Sequence, residues 1–188
     1  MLKSFGISSF RQIINCAVKL RSDITMNGRV YAKGTDIPWF MIYPFFLVHM
    51  LIFGASGFFM AYSAKGPPVL FLYAHGGIAI FVYTIFYLAI FGPDEVKWMF
   101  INALLGLLGI GCQINWLLSF FGKRIGDYPF YVHVIPFLYY VLYTFLLRHA
   151  VMDITQSRDD PAKRKIVENI YVAVSVAVYL LLYFLGKG

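Results

Sequence analysis

The sequence predicts an all-α fold: a polytopic membrane helix bundle of five transmembrane helices preceded by an interfacial amphipathic helix. Three observations carry that prediction. Of the 188 residues, 60% are hydrophobic and only 13% charged, whereas about a quarter of a soluble domain is charged. Five apolar runs are each long enough to cross a hydrocarbon core, which takes about 20 helical residues. Short segments rich in Pro, Gly and charge separate them, and in lipid only helices or closed barrels satisfy the backbone. The ten-residue alternating strands of a barrel are not found in the sequence.

The chain divides into a leading segment, residues 1–37, and the bundle, residues 38–188. In the leading segment Phe10, Ile13, Ile14, Ala17 and Val18 recur at helical spacing, with Arg11, Asn15 and Lys19 on other faces. This is the pattern of a helix lying in the headgroup layer. It has neither the apolar core nor the small-residue cleavage pattern of a signal peptide. Next, "DITMNGRVYAKGTD" sets Asn27-Gly28 between two β-prone stretches, a small hairpin with a type I′ turn or an irregular tether.

The spans are placed near 38–62, 68–92, 97–122, 128–152 and 166–186. The segments "SAKGPP", "GPDEVK", "GKRIGDYP" and "ITQSRDDPAKRK" stop the helices between them, because Pro and clustered charge do not continue a buried helix. The acidic residues are expected outside the spans. Trp39 and Trp98 mark one interface, and Tyr139, Tyr140 and Tyr143 lie deeper, where their hydroxyls need partners.

Charge sets orientation and partners. Of the 16 Lys and Arg, only Lys65, Lys123, Arg124 and Lys187 fall on the far side if the N-terminus is cytoplasmic. The positive-inside bias then places the chain in the cytoplasmic (inner) membrane, multi-pass, with the N-terminus cytoplasmic and the C-terminus external. The net charge of +7, in so apolar a chain, points to anionic lipid headgroups, and no basic surface interleaved with aromatics suggests nucleic acid. Cys16 and Cys112 offer neither a disulfide framework nor a thiolate metal site. Metalloprotease, nucleophile-elbow and phosphate-loop motifs are missing from the sequence. A proton-coupled carrier is disfavoured, because no acidic residue is expected in a span and no repeat pairs the spans into halves.

All four histidines, His49, His75, His133 and His149, fall within or at the edge of spans. At about 1.5 Å of rise per residue, His75 and His133 both lie roughly 8–10 Å from the outer edge. His49 and His149 form a weaker inner pair. An outer pair from spans two and four with an inner pair from spans one and four resembles, in that respect alone, the cytochrome b subunits of formate dehydrogenases and nickel-iron hydrogenases. By that resemblance His75 and His133 would be axial ligands of an outer b haem, and His49 and His149 of an inner one. Arg148 would neutralise a haem propionate, or else snorkel to the headgroups. Neutral imidazole suits such a role, since it ligates iron without placing charge in lipid. Against two haems, His133 and His149 would stand about 160° apart around one regular helix at about 100° per residue. A break at Pro136 would be needed to change that phase. The plainer reading makes each histidine a hydrogen-bonding residue between helices.

Glycines allow either reading. Asn102, Gly106, Gly109 and Gln113 share a face of span three, Gly54 and Gly57 sit in span one, and Gly76 and Gly77 follow His75. Such faces admit a porphyrin or bring helices close. The sequence therefore supports an integral membrane subunit, with b-haem electron transfer within a larger complex ahead of a non-catalytic scaffold or assembly role. As an enzyme it would be at most the electron-transfer subunit of a membrane oxidoreductase. The expected partners are the lipid bilayer, other membrane subunits and, in the redox case, a quinone.

Overall fold

The computed structural model describes residues 17–26, 28–63, 65–105 and 107–185. Six α-helices carry the fold: α1 (Trp39–Tyr62), α2 (Val69–Phe91), α3 (Pro93–Leu105), α4 (Leu107–Ser119), α5 (Phe130–Ile154) and α6 (Pro161–Leu185). Prolines open five of them: Pro38, Pro68 and Pro129 stand just before α1, α2 and α5, and Pro93 and Pro161 are the first residues of α3 and α6. Proline suits a helix start, where its missing N–H is not needed. After α2 the chain turns at Gly92, with φ of 91°, a conformation that L side chains rarely adopt.

Among the described residues four helices, α1, α2, α5 and α6, are long and apolar enough to cross a membrane. The fold is that of an integral membrane protein. Across the third expected span, 97–122, the described residues form α3 and α4, 13 residues each, on either side of residue 106, which lies outside the described residues.

Helix α5 is the centre of the bundle and α6 its periphery: 44% of the apolar window of α5 is buried and none of that of α6. Helix α1 packs along α5, and α2 leans on both. Glycines make the close approaches. Gly57 of α1 faces the ring of Tyr139 on α5, Gly76 of α2 faces Ile135 of α5, and Gly109 of α4 faces Tyr179 of α6. Close packing through small residues is how helices associate where no hydrophobic effect drives them together. Helix α5 runs unbroken through the buried Pro136, so no helix end separates His133 from His149.

Before α1 lies a nested antiparallel ribbon. β1 (Ala17–Lys19) pairs with β4 (Asp36–Pro38), and β2 (Ile24–Met26) with β3 (Arg29–Tyr31). The expected hairpin is present, with Gly28 in its turn at φ of 73°. The amphipathic helix is corrected at its end: Ala17, Val18 and Lys19 are strand, and the rest of that proposal, residues 1–16, lies outside the described residues. The physical reason is a period of two. Val18 and Leu20 are buried and Lys19 is exposed, as on a strand that packs one face. Arg21 and Ser22 donate their backbone N–H groups to the Ala89 carbonyl, tying the ribbon to the end of α2.

The acidic residues require a second correction. Asp153 sits in the last turn of α5 and is buried, and Glu168 lies within α6. Arginine partners hold both carboxylates in place.

Candidate functional site at the charged end of the bundle

Five segments bring ionisable side chains to one end of the bundle. Tyr43 comes from the start of α1, Glu95 from the first turn of α3, and Arg148, His149 and Asp153 from the end of α5. Arg158 comes from the loop after α5, and Arg164 and Glu168 from the first turns of α6.

Arg158 grips Asp153 with a two-pronged contact, Nε to Oδ1 at 2.5 Å and Nη2 to Oδ2 at 3.0 Å. The Tyr43 hydroxyl donates to the same Oδ2. Planar, bidentate pairing of this kind is the strongest form of charge-assisted hydrogen bond between side chains. Burial alone would lower the pKa of Arg158, but the bonds and charge of Asp153 outweigh it and the net direction is up. The guanidinium stays charged.

Nη2 of Arg158 also reaches Nδ1 of His149 at 3.1 Å. Guanidinium only donates, so Nδ1 is the acceptor and the neutral ring carries its proton on Nε2. That Nε2 is 3.6 Å from Oε2 of Glu95, too far for a hydrogen bond, and has no hydrogen-bond partner among the described residues. The fully buried ring stacks on Phe91 at 4.4 Å and meets the edge of Phe145 at 4.4 Å. Arg158 sits 5.6 Å from the Phe91 ring centroid, within cation–π range.

A second tier continues outward. Arg148 pairs with Glu168 and lies 3.5 Å from Oε2 of Glu95. Arg164 bridges the same two carboxylates, to Oε1 of Glu95 at 3.0 Å and Oε1 of Glu168 at 3.0 Å. Arg148, Arg158 and Arg164 thus balance Glu95, Asp153 and Glu168. The cluster is a charge-neutral clamp across α1, α3, α5 and α6.

The other histidines are dispersed. At the opposite end, His133 donates from Nε2 to the Tyr128 carbonyl at 3.3 Å and accepts at Nδ1 from the Tyr62 hydroxyl at 2.8 Å. The Tyr128 hydroxyl closes the node on the Tyr62 carbonyl at 2.8 Å. His75 is half-buried, stacked on Phe71 at 6.0 Å and tilted against Phe53 at 5.8 Å. His49 donates from Nδ1 to the Phe45 carbonyl of its own helix at 2.9 Å. Neither sequence-derived pair, His75 with His133 or His49 with His149, shares a hydrogen bond or ring contact among the described residues.

In this arrangement the four histidines are not presented as the two expected ligand pairs. Ligation needs an imidazole nitrogen with a free lone pair aimed at the iron. His133 has both nitrogens engaged, and His149 has Nδ1 turned to a guanidinium and its ring between two phenylalanines. Arg148, the expected propionate partner, is taken up by Glu95 and Glu168. Among the described residues no group of three or more His, Cys, Asp or Glu is arranged to hold a metal ion.

Sequence reasoning singled out Arg148 and His149 but missed Tyr43, Glu95, Asp153, Arg158, Arg164 and Glu168. The available signal was that acidic and basic residues of opposite sign flank neighbouring helix ends. Comparison with known protein families, curated proteins and solved structures finds no match.

Proposed function

We propose that this chain is a non-catalytic structural subunit of a membrane assembly. The observation that carries the reading is α6, a 25-residue apolar helix with no buried residue, held to the bundle at its start by ion pairs to Arg148 and Glu95. A helix tied to the bundle at its start and again where Tyr179 meets Gly109, yet with an open apolar flank, is suited to pack against a partner helix. Ala173 and Ala177, both exposed and four residues apart, supply the small residues that let backbones approach in lipid. Photocrosslinkers placed at Val174 and Leu181, 57% and 58% exposed, are expected to give a discrete protein adduct in native membranes. Adducts to lipid alone would overturn the reading, as would bis-histidine haem bands in the visible spectrum of natively purified protein.

The proposal includes five crossings. Glu95, at the start of α3, meets the charged cluster, whereas Asn115 of α4 accepts from the Ile125 backbone near the Tyr62–Tyr128–His133 node at the other end. This supports α3 and α4 crossing together as one path. The basic residues around Arg158 and Lys163 then assign the charged end to the cytoplasm. In a chain whose Cys16 and Cys112 are replaced by Ser, single cysteines at Gly34 and Asp159 are expected to be shielded from impermeant thiol reagents in intact cells. Cysteines at Lys65 and Lys123 are expected to label. Labelling of all four from the same side would refute the five-crossing path.

A further inference from the structure

Between α6 and the rest of the bundle lies a cavity of about 570 Å³, open along one side. That volume is in the range that takes one small-molecule-sized group. Helix α6 closes on α4 where Gly109 meets Tyr179, and the space is left between α6, α3 and α5, with Met99, Phe145 and Val176 among its walls.

Three of the hydroxyls along the wall are spent internally. Tyr171 donates to the Thr144 carbonyl at 3.2 Å, Thr144 to the Tyr140 carbonyl at 3.0 Å, and Ser175 to the Tyr171 carbonyl at 2.8 Å. With their protons already placed, these groups leave a surface that an apolar chain can cover without stranding a donor.

The mouth is different. Arg148, Arg164 and Glu168 line it, and Arg164 and Glu168 are each 32% exposed. Arg164 uses Nε and Nη2 on carboxylates, and Glu168 accepts at Oε1 from both arginines. Nη1 of Arg164 and Oε2 of Glu168 make no hydrogen bond among the described residues. A guanidinium edge and a carboxylate oxygen therefore stand side by side at the end of an apolar groove.

We infer that this groove holds one chain of a zwitterionic phospholipid with a primary ammonium head, its phosphate on Arg164 and its ammonium on Glu168. The charge pattern selects this class. An anionic head would meet two carboxylates as well as two guanidiniums, and a quaternary ammonium has no N–H to give to Glu168. The bound lipid fills the gap under α6, and the isolated chain suffices for it, so the inference stands or falls separately from partner contacts on the outer flank of α6.

The test uses the full chain, delipidated in detergent and offered an equimolar mixture of phosphatidylethanolamine, phosphatidylcholine and phosphatidylglycerol with identical acyl chains, read by native mass spectrometry. One phosphatidylethanolamine should be retained, on the order of tenfold over either competitor, as expected where matched charge pairs select a partner. Glu168→Gln should bring phosphatidylethanolamine and phosphatidylcholine to parity while one lipid stays bound. Ser175→Phe, which fills the groove, should abolish retention of all three with the melting temperature held. Preferential retention of phosphatidylglycerol, equal retention of all three by the unaltered chain, or indifference to Ser175→Phe in a chain that still melts cooperatively would overturn the inference.

Discussion

Asp153→Ala is expected to cost about 3–5 kcal/mol of stability, the usual loss when one partner of a buried ion pair is removed. The carboxylate is 6% exposed and receives both prongs of Arg158 and the Tyr43 hydroxyl. Without it the guanidinium is left in a half-closed site facing His149 and Phe91, with its charge uncompensated. Arg158→Ala should be comparably damaging, because it strands the carboxylate. The double change Asp153→Leu with Arg158→Met removes both charges and should recover most of the loss, since apolar replacement of a whole buried pair is often neutral or better. Tyr43→Phe deletes the donor to Asp153 and the acceptor that Arg158 Nη2 reaches at 3.4 Å, and is expected to cost about 1–3 kcal/mol. Thermal unfolding of each variant in one detergent measures the series. A double variant no better than Asp153→Ala would show that the pair contributes something its charges do not explain.

Much of the bundle was legible in the sequence because lipid imposes a length. The runs containing Trp39–Tyr62, Val69–Phe91, Phe130–Ile154 and Pro161–Leu185 announce themselves by apolar content, and the prolines and glycines beside them mark the ends. The run over 97–122 is helical in its described residues up to Ser119, as α3 and α4. Ala17–Lys19 fits a helix by spacing and becomes a strand because Ile37 pairs with Val18 from 19 positions further along the chain. A local pattern does not see that partner. The charged cluster fails for the same reason on a larger scale: Tyr43 and Asp153 are separated by 110 positions, and Glu95 and Arg164 by 69. The expectation of spans free of acidic residues treated each carboxylate as unpaired, although the bounds 166–186 already enclose Glu168, and pairing is what makes the positions of Asp153 and Glu168 tolerable. Of the four histidines, His133 has a hydrogen-bond partner on another helix, whereas His49 bonds its own helix. What spacing could not supply was the identity of the partners, a tyrosine hydroxyl for His133 and a guanidinium for His149.

Gly76 and Gly77 follow His75 and are indistinguishable in the sequence, yet opposite outcomes are expected from replacing them. A Cβ at Gly76 would stand 2.5 Å from Cγ2 of Ile135 and 3.2 Å from its Cδ1. Ile135 is 2% exposed at the centre of the bundle, and its β-branched side chain has little rotamer freedom with which to move aside. Gly76→Ala should therefore cost about 1–3 kcal/mol by overpacking, and Gly76→Val more. A Cβ at Gly77 meets nothing within 4 Å, so Gly77→Ala should be neutral or gain up to about 1 kcal/mol in helix propensity. Ile135→Ala alone opens a cavity and should cost about 2–5 kcal/mol. Combined with Gly76→Val it should cost less than the two single changes added together, because the new methyls enter the space that Ile135 vacates. If Gly76→Ala and Gly77→Ala melt alike, the approach of α2 to α5 at this point is looser than the 2.5 Å contact implies. If they differ as expected, the glycine after His75 is there to seat α2 on α5, and the imidazole, one position around the helix, is carried to its place between Phe53 and Phe71 by that packing.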